Sequence, residues 1–217
     1  EVLEAGSELV VVGRAGLGVD NVDVKAATTR GVMVANAPGS NSLSTAEHTM
    51  AMLLAQARNI PQAHGALVAG RWEKSKWEGT ELYGKTLGVL GLGRIGTLVA
   101  QRAHAFGMRL VAWDPWVSAE RGRQHGIEMM ELDELMSIAD FVTIHLLKTP
   151  ESVNLIDDEL LAKAKPGIRL VNCARGGIID EDALAKAIEA GTVGGASLDV
   201  FAEEPLTDSP LFGLPQV

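Results

Sequence analysis

Residues 87–96 read Leu-Gly-Val-Leu-Gly-Leu-Gly-Arg-Ile-Gly, and residues 108–114 read Met-Arg-Leu-Val-Ala-Trp-Asp. Leu87 to Gly91 is short and wholly apolar, the pattern of a strand buried on both faces. Gly91, Gly93 and Gly96 form a G-x-G-x-x-G run. Beyond it Ile95, Leu98, Val99, Ala103 and Phe106 recur at the spacing of one helix face. Met108 to Trp113 is a second strand, closed by Asp114, 18 residues past Gly96. A glycine run alone is a weak signal; one that leaves a strand, opens a helix and precedes an acid at the next strand's end is specific. Gly91 permits the tight turn, Gly93 lets backbone approach a pyrophosphate, and Gly96 lets helix and strand pack closely. The helix N-terminus then supplies aligned N–H groups and about half a positive charge. Asp114 can accept from both ribose hydroxyls of an adenosine. A 2′-phosphate would meet its like charge, and Pro115 and Trp116 supply no arginine. The pattern predicts NAD rather than NADP.

Working outward, Ile127 to Met129 reads as a weak third strand and Glu131 to Ile138 as a short helix. Phe141 to His145 is a fourth strand, and Ile168 to Val171, closing at Asn172, a fifth. Asp180 to Ala190 is a helix that stops at Gly191, and Gly194 to Val200 contains a sixth strand. Strands interleaved with crossover helices predict an α/β fold, a Rossmann-type doubly wound parallel sheet. The first 37 residues differ: Leu9 to Val12 and Val32 to Val34 are strand-like, with a short helix near Val22 to Thr29. That unit is too small to bury its own faces. It is either extra strands on the main sheet or part of a second domain, with a boundary between residues 1–37 and 38–217. Ser42 to Arg58 carries Leu43, Ala46, Met50, Leu53 and Leu54 over a wide helical arc, which needs a cover.

The 217 residues hold 19 Lys and Arg against 28 Asp and Glu, a net charge of −9 with no dense basic run. Generic nucleic-acid binding, which needs a concentrated positive field, is disfavoured. Apolar stretches fall well short of the roughly 20 residues a membrane span needs. The single cysteine, Cys173, excludes an intrachain disulfide and a Cys-rich zinc site and suits a reducing compartment. The chain opens at Glu1 without a charged-then-apolar leader. The expectation is a soluble cytoplasmic protein, or a piece of one.

Charged residues follow the later strands, where open α/β sheets bind ligands. Arg175 lies in Asn172-Cys173-Ala174-Arg175-Gly176-Gly177 and can clamp a carboxylate with two parallel bonds. Asp199 closes the sixth strand, and Glu203 and Glu204 follow it. His145 ends the fourth strand on the ligand side. His48, His64, His104 and His125 have no evident acid partner and read as surface or packing residues. There is no metal-ligand spacing, so no metal is expected. Cys173 has no evident base and reads as a buried structural thiol. Lys74 and Lys76, flanked by Trp72 and Trp77, fit either an anion site or a solvated loop.

Five stretches together resemble the D-2-hydroxyacid dehydrogenase superfamily over almost the whole chain. They are Val12 to Asp23 (VGRAGLGVDNVD), Asn41 to Glu47 (NSLSTAE), Gly91 to Gly96, Val171 to Gly177 (VNCARGG) and Leu198 to Pro205 (LDVFAEEP). The first of these and Gly79 to Gly88 (GTELYGKTLG) favour its phosphoglycerate-oxidising branch. The resemblance implies NAD-linked oxidation of 3-phospho-D-glycerate to 3-phosphohydroxypyruvate, a step of serine biosynthesis. It also implies an incomplete, flavodoxin-like substrate domain at the N-terminus and a homodimer core built on the Ser42 to Arg58 helix and the Trp72 to Trp77 loop. By the same resemblance Arg175 binds the substrate's carboxylate and reacting oxygen, and Glu204 orients the catalytic histidine. Leu146, Cys173 and Ala174 fall at cofactor-contacting positions, and His145 on the cofactor side. Asp199 falls near the nicotinamide carboxamide, and Arg94 with Ile95 at the pyrophosphate. Arg14, Ala15, Gly16, Gly18 and Asn41 match the substrate-carboxylate loop, and Lys74 stands where the family often has an arginine for a neighbour's substrate phosphate.

Leu147 replaces the family's usual proline. The family's catalytic histidine falls a few residues past Val217, so the 217 residues alone are expected to bind NAD and to turn over very slowly or not at all. The same resemblance leaves open another 2-hydroxyacid dehydrogenase, such as a glyoxylate or hydroxypyruvate reductase. It also leaves open an NAD-sensing protein like the corepressors that share this fold.

Overall fold

The computed structural model describes residues 1–19 and 21–217; Asp20, inside the first family stretch, lies outside the described residues. The chain divides into two units, Glu1–Ser44 and Thr45–Val217.

The first unit holds α1 (Val2–Ala5), β1 (Val11–Arg14), α2 (Val24–Thr29) and β2 (Met33–Asn36), and α3 (Ser42–Ala57) starts at its end. β1 and β2 pair in parallel, Val11 opposite Met33 and Arg14 opposite Asn36. They form a two-stranded sheet of their own. α2 starts where it does because the Asp23 side chain accepts from the Ala26 amide at 2.8 Å, the usual way to satisfy a first-turn donor. Ala27 and Val32 are buried, while Val10, Val11 and Met33 stand exposed.

The second unit follows with α4 (Ile60–Val68), β3 (Thr86–Leu90), α5 (Arg94–Ala105), β4 (Arg109–Trp113), α6 (Ala119–Gln124) and β5 (Glu128–Met129). It continues with α7 (Leu132–Ile138), β6 (Phe141–Ile144), α8 (Asp158–Ala162), β7 (Ile168–Asn172), α9 (Glu181–Glu189) and β8 (Val193–Leu198). Its six strands are all parallel in the order β5-β4-β3-β6-β7-β8. That is the doubly wound order 3-2-1-4-5-6, whose direction reverses between β3 and β6.

Period-2 alternation sorts the strand residues onto two faces. Leu87, Val89, Leu110, Ala112, Phe141 and Val171 pack with Leu53 of α3 and with Val99 and Ala103 of α5. Leu90, Val111, Val142, Ile144 and Leu170 pack with α7, α8 and α9 through Leu135, Leu161 and Leu184. Both faces being covered explains why these strands are apolar throughout. Asp157 and Asp180 cap α8 and α9, accepting from the amides of Leu160 (2.9 Å) and Ala183 (3.0 Å). At the amino ends of the strands Asp140 accepts from the Thr86 amide and from Lys165 Nζ, both at 2.8 Å, tying together β3, β6 and the turn before β7. Among the described residues no helix is long and apolar enough to cross a membrane.

Candidate cofactor site

At the reversal point the carboxyl ends of β3 and β6 lie side by side, the place where open sheets of this kind bind ligands. The His145 amide donates to the Leu90 carbonyl at 2.7 Å, and the Gly91 amide to the Trp113 carbonyl at 2.9 Å. Gly91 has φ +94°, and a Cβ there would lie 2.8 Å from the His145 carbonyl and 3.0 Å from the Leu146 amide. Only a glycine combines that dihedral with that approach. A Cβ on Gly96 would overlap the Gly91 carbonyl oxygen, so α5 rests directly on the turn. Gly93 differs: a Cβ there would meet nothing within 4 Å.

Gly93 is the N-cap of the 12-residue α5, with no side-chain cap and no acid in the first turn. The helix therefore opens with uncapped amides and its positive dipole end facing the open space over Gly93. A pyrophosphate fits this cradle, and a side chain at Gly93 would fill it. Asp114, at the end of β4, is partly buried. Its Oδ2 accepts from the Leu92 amide and its Oδ1 from the Trp116 amide, each at 2.8 Å. Each oxygen keeps a further acceptor site, so the carboxylate pins the glycine turn and retains the capacity for a ribose diol.

His145 sits beside this turn. Its Nε2 lies 2.9 Å from Thr143 Oγ1, and its Nδ1 is shut away from solvent with no hydrogen-bond partner among the described residues. Burial pushes its pKa down to about 3, so the ring is uncharged at neutral pH. Leu146 follows, partly buried against the core.

Next along the sheet, the ends of β7 and β8 bring Cys173, Ala174, Arg175 and Asp199 together. Asn172, 2 % exposed, shapes the loop: its Oδ1 accepts from the Ala174 amide and its Nδ2 donates to the Arg175 carbonyl, both at 3.0 Å. Arg175 Nη1 donates to the Ala174 carbonyl at 2.7 Å. A Cβ on Gly176 would overlap the Phe201 carbonyl, which locks this loop to the one after β8. That second loop is held by Glu204, accepting from the Phe201 amide at 3.0 Å, and by Glu181, accepting from the Ala202 amide at 2.7 Å. Sequence reasoning did not single out Asn172 or Glu181 as loop clamps; the acid at the start of α9 was their one local signal.

His48 is a correction. Read as lacking an acid partner, its Nε2 lies 3.2 Å from Asp199 Oδ1. α3 carries it there from 151 residues away in the sequence, a meeting that no local pattern announces. Cys173 is buried, and its thiol is pushed up to about 11 by burial, against a hydrogen bond to Thr49 and with the Asp199 charge adding to the rise.

In the first unit, the loop after β1 folds on itself. Arg14 Nη1 donates to the Ala15 carbonyl at 2.8 Å and its Nε to Asn21 Oδ1 at 3.2 Å, while the Gly16 amide donates to the Arg14 carbonyl at 2.9 Å. Asn36 Nδ2 holds the Leu17 carbonyl at 2.8 Å, next to Gly18. The Asn41 carbonyl accepts from Ser44 Oγ at 3.0 Å. Lys74 is exposed; beside it Lys76 lies 4.8 Å from the Trp77 ring, whose Nε1 donates to Glu73 at 3.2 Å. A hollow of about 550 Å³ near the amino end of β4 lies at the opposite end of that strand from the glycine turn. Its arginines are engaged, Arg109 with Glu128 at 2.8 Å and Arg123 with Glu120 at 3.2 Å.

Residues 50–217 match the family model described as D-isomer specific 2-hydroxyacid dehydrogenase, NAD binding domain, and the chain belongs to that family. Its nucleotide is accordingly NAD. Over all 217 residues the chain is 59 % identical to a D-3-phosphoglycerate dehydrogenase of Mycobacterium tuberculosis, and it spans 41 % of that protein's length. Among solved structures it resembles a glyoxylate reductase from Paecilomyes thermophila, with a TM-score of 0.88 and 34 % identity, covering 97 % of this chain and 64 % of that one. It also resembles an NAD-dependent formate dehydrogenase from Staphylococcus aureus in complex with NAD, with a TM-score of 0.86 and 37 % identity, covering 98 % of this chain and 64 % of that one.

Proposed function

We propose that the chain is the cofactor-binding part of an enzyme that oxidises 3-phospho-D-glycerate to 3-phosphohydroxypyruvate with NAD, the first step of L-serine biosynthesis. The observation that carries this reading is Asp114 pinning the glycine turn at the reversal point, in a chain whose M. tuberculosis relative bears the phosphoglycerate dehydrogenase name.

Bound NAD supplies the hydride acceptor. Gly91, Gly93, Arg94, Ile95 and Gly96 would hold its diphosphate through backbone amides, and Asp114 its adenosine ribose. His145, Leu146, Cys173 and Ala174 would line its other end, with Asp199 near the carboxamide. Arg175 would bind the substrate's carboxylate and the oxygen at the reacting carbon, stabilising charge as the hydroxyl becomes a carbonyl. Glu204 would orient the histidine that takes the hydroxyl proton. None of the five histidines here suits that proton transfer: His145 is partly buried and its ring held uncharged, His48 is bound to Asp199, and His64, His104 and His125 are exposed on or beside α4, α5 and α6. Arg14, Ala15, Gly16, Gly18 and Asn41 would offer the carboxylate loop, and Lys74 a cation for a neighbouring subunit's substrate phosphate, without arginine's bidentate fork. A homodimer core is part of the same proposal. It is supported by the exposed apolar run Ile60, Leu67, Val68 and Trp72, 54–82 % accessible, of the kind that marks interaction surfaces.

The likeness to a glyoxylate reductase keeps one rival reading, a reductase of unphosphorylated 2-oxo acids. Comparing kcat/KM for phosphohydroxypyruvate and for glyoxylate with the full-length protein decides between them. The first is expected to be preferred, and preference for glyoxylate would overturn the assignment. Calorimetry on the same protein is expected to show NAD binding that weakens roughly tenfold or more in Asp114→Ala, as loss of charged hydrogen bonds implies.

A further inference from the structure

Three chemically different donors converge beside the carboxyl ends of β7 and β8. His48 Nε2 comes from α3, Cys173 Sγ from the first residue after β7, and an Asp199 oxygen from the first residue after β8. One ligand atom of each residue lies within 4.8 Å of the other two, and His48 Nε2 is 3.2 Å from Asp199 Oδ1. In a tetrahedral zinc site the nitrogen–oxygen edge is about 3.4 Å and the nitrogen–sulfur edge about 3.6 Å, from the usual bond lengths. One edge is therefore close to its bonded length, and the thiol needs an approach of at most about 1 Å. The floor of the cluster is soft: Met52 Sδ, one helical turn after His48, lies 3.4 Å from Cys173 Sγ. Its mouth is open, since the side chains of His48 and Asp199 are half exposed while Cys173 is buried.

We infer that His48, Cys173 and Asp199 form a binding site for a thiophilic divalent cation of the zinc class, with solvent as the fourth ligand. The mix of imidazole, thiolate and carboxylate suits Zn²⁺ or Co²⁺, whereas Mg²⁺ and Ca²⁺ prefer oxygen alone. Capture needs no oxidant. The Cys173 S–H bond breaks as the metal–sulfur bond forms, and its proton leaves to solvent. The proton through which His48 Nε2 meets Asp199 is exchanged through solvent for one on Nδ1, which frees the Nε2 lone pair for the ion. The ion displaces the thiol proton, as metals do from a coordinating thiol. A bound ion also occupies the Asp199 carboxylate, and so would exclude the nicotinamide end of the cofactor. That coupling rests on the role proposed above for Asp199; capture of the ion does not.

The test titrates Co²⁺ into the untagged, reduced, chelator-cleared full-length protein. One equivalent is expected to produce the near-ultraviolet charge-transfer band of a cobalt–thiolate bond, removed again by Zn²⁺. Cys173→Ser is expected to lose the band. His48→Gln is expected to keep it while binding weakens by at least the roughly tenfold that even a supporting contact is worth. Circular dichroism establishes that both variants fold. Absence of a thiolate band in the wild type, or equal Co²⁺ affinity in Cys173→Ser, overturns the site. Saturating NAD is then added to the Co²⁺ form: loss of the band supports the coupling, and a band that persists overturns the coupling while capture stands.

Discussion

Replacing His145 with glutamine takes out of the crevice a ring that the fold holds uncharged. Burial moves its pKa from 6.5 to about 3, and its Nδ1 is enclosed without a partner that could stabilise an imidazolium. In the unfolded chain the ring regains its ordinary value of about 6.5. Between the two values the unfolded chain therefore binds a proton that the folded chain does not, and stability must fall as the pH falls through that window. The penalty is negligible above pH 7, starts near 6.5 and grows by about 1.36 kcal/mol per pH unit toward 3. At pH 5, one and a half units into the window, it amounts to about 2 kcal/mol. Glutamine does not titrate, so the variant lacks this term. Urea unfolding of both proteins at pH 7.5, 6.5 and 5.0, followed by tryptophan fluorescence, reads it directly. Whatever offset the substitution causes at pH 7.5, the difference is expected to move by about 2 kcal/mol in the variant's favour by pH 5. If the two proteins lose stability in parallel, the imidazole is not held neutral and the reasoning fails.

Gly96→Ala is expected to lower stability by about 1–3 kcal/mol, because the added methyl meets the Gly91 carbonyl, backbone against backbone, and no rotamer relieves it. NAD affinity should fall with it as α5 lifts from the turn; calorimetry showing wild-type affinity would reject this account of the contact. For Asp140, burial raises the pKa, but the Lys165 and Thr86 hydrogen bonds outweigh it and the net shift is downward. Its contribution is then present above the ordinary carboxylate value and lost as pH falls below it. Asp140→Asn should cost about 1–2 kcal/mol at pH 7 and progressively less below pH 4, and a pH-independent cost in urea melts would contradict the ionic clamp.

The strand–helix alternation of the second unit is legible because strands covered on both faces need apolar side chains on both, as in Leu87 to Leu90 and Phe141 to Ile144. The glycine turn is legible because each glycine answers a distinct steric demand. α4 escapes such a reading because Pro61 and Gly65 look like breakers, although a proline in the first turn removes no hydrogen bond. α6 contains Gly122, packed under Met129, and α8 has five residues, too few to display a period. In the first unit the paired strands are legible, but their separate two-stranded sheet is not, because apolar runs do not name their partners. At the site, identity is legible and attachment is not. Asp114 stands out by its position at a strand end, yet its bonds to the Leu92 and Trp116 amides depend on how two loops meet. The His48–Asp199 pair is tertiary in the strictest sense: a helix laid across the sheet supplies one partner and the last strand the other.

These attachments share a feature that bears on how the crevice binds. Asp114, Asn172, Glu181 and Glu204 each hold a loop of the crevice, their own or an adjoining one, by accepting from its backbone amides, and Asn172 donates as well. The turn after β3 and the loops after β7 and β8 are therefore held by the protein's own hydrogen bonds, so binding need not order them and loses less entropy. Backbone held this way tolerates little drift, which suits amides that must meet a diphosphate and an arginine that must meet a carboxylate within hydrogen-bonding distance. His48 and Asp199 stand apart from that scheme. Their contact joins two half-exposed side chains rather than a side chain to a backbone, and either can rotate away. The crevice thus has fixed walls over the glycine turn and a reconfigurable corner at Asp199, and a competing cation would act on that corner rather than on the diphosphate cradle.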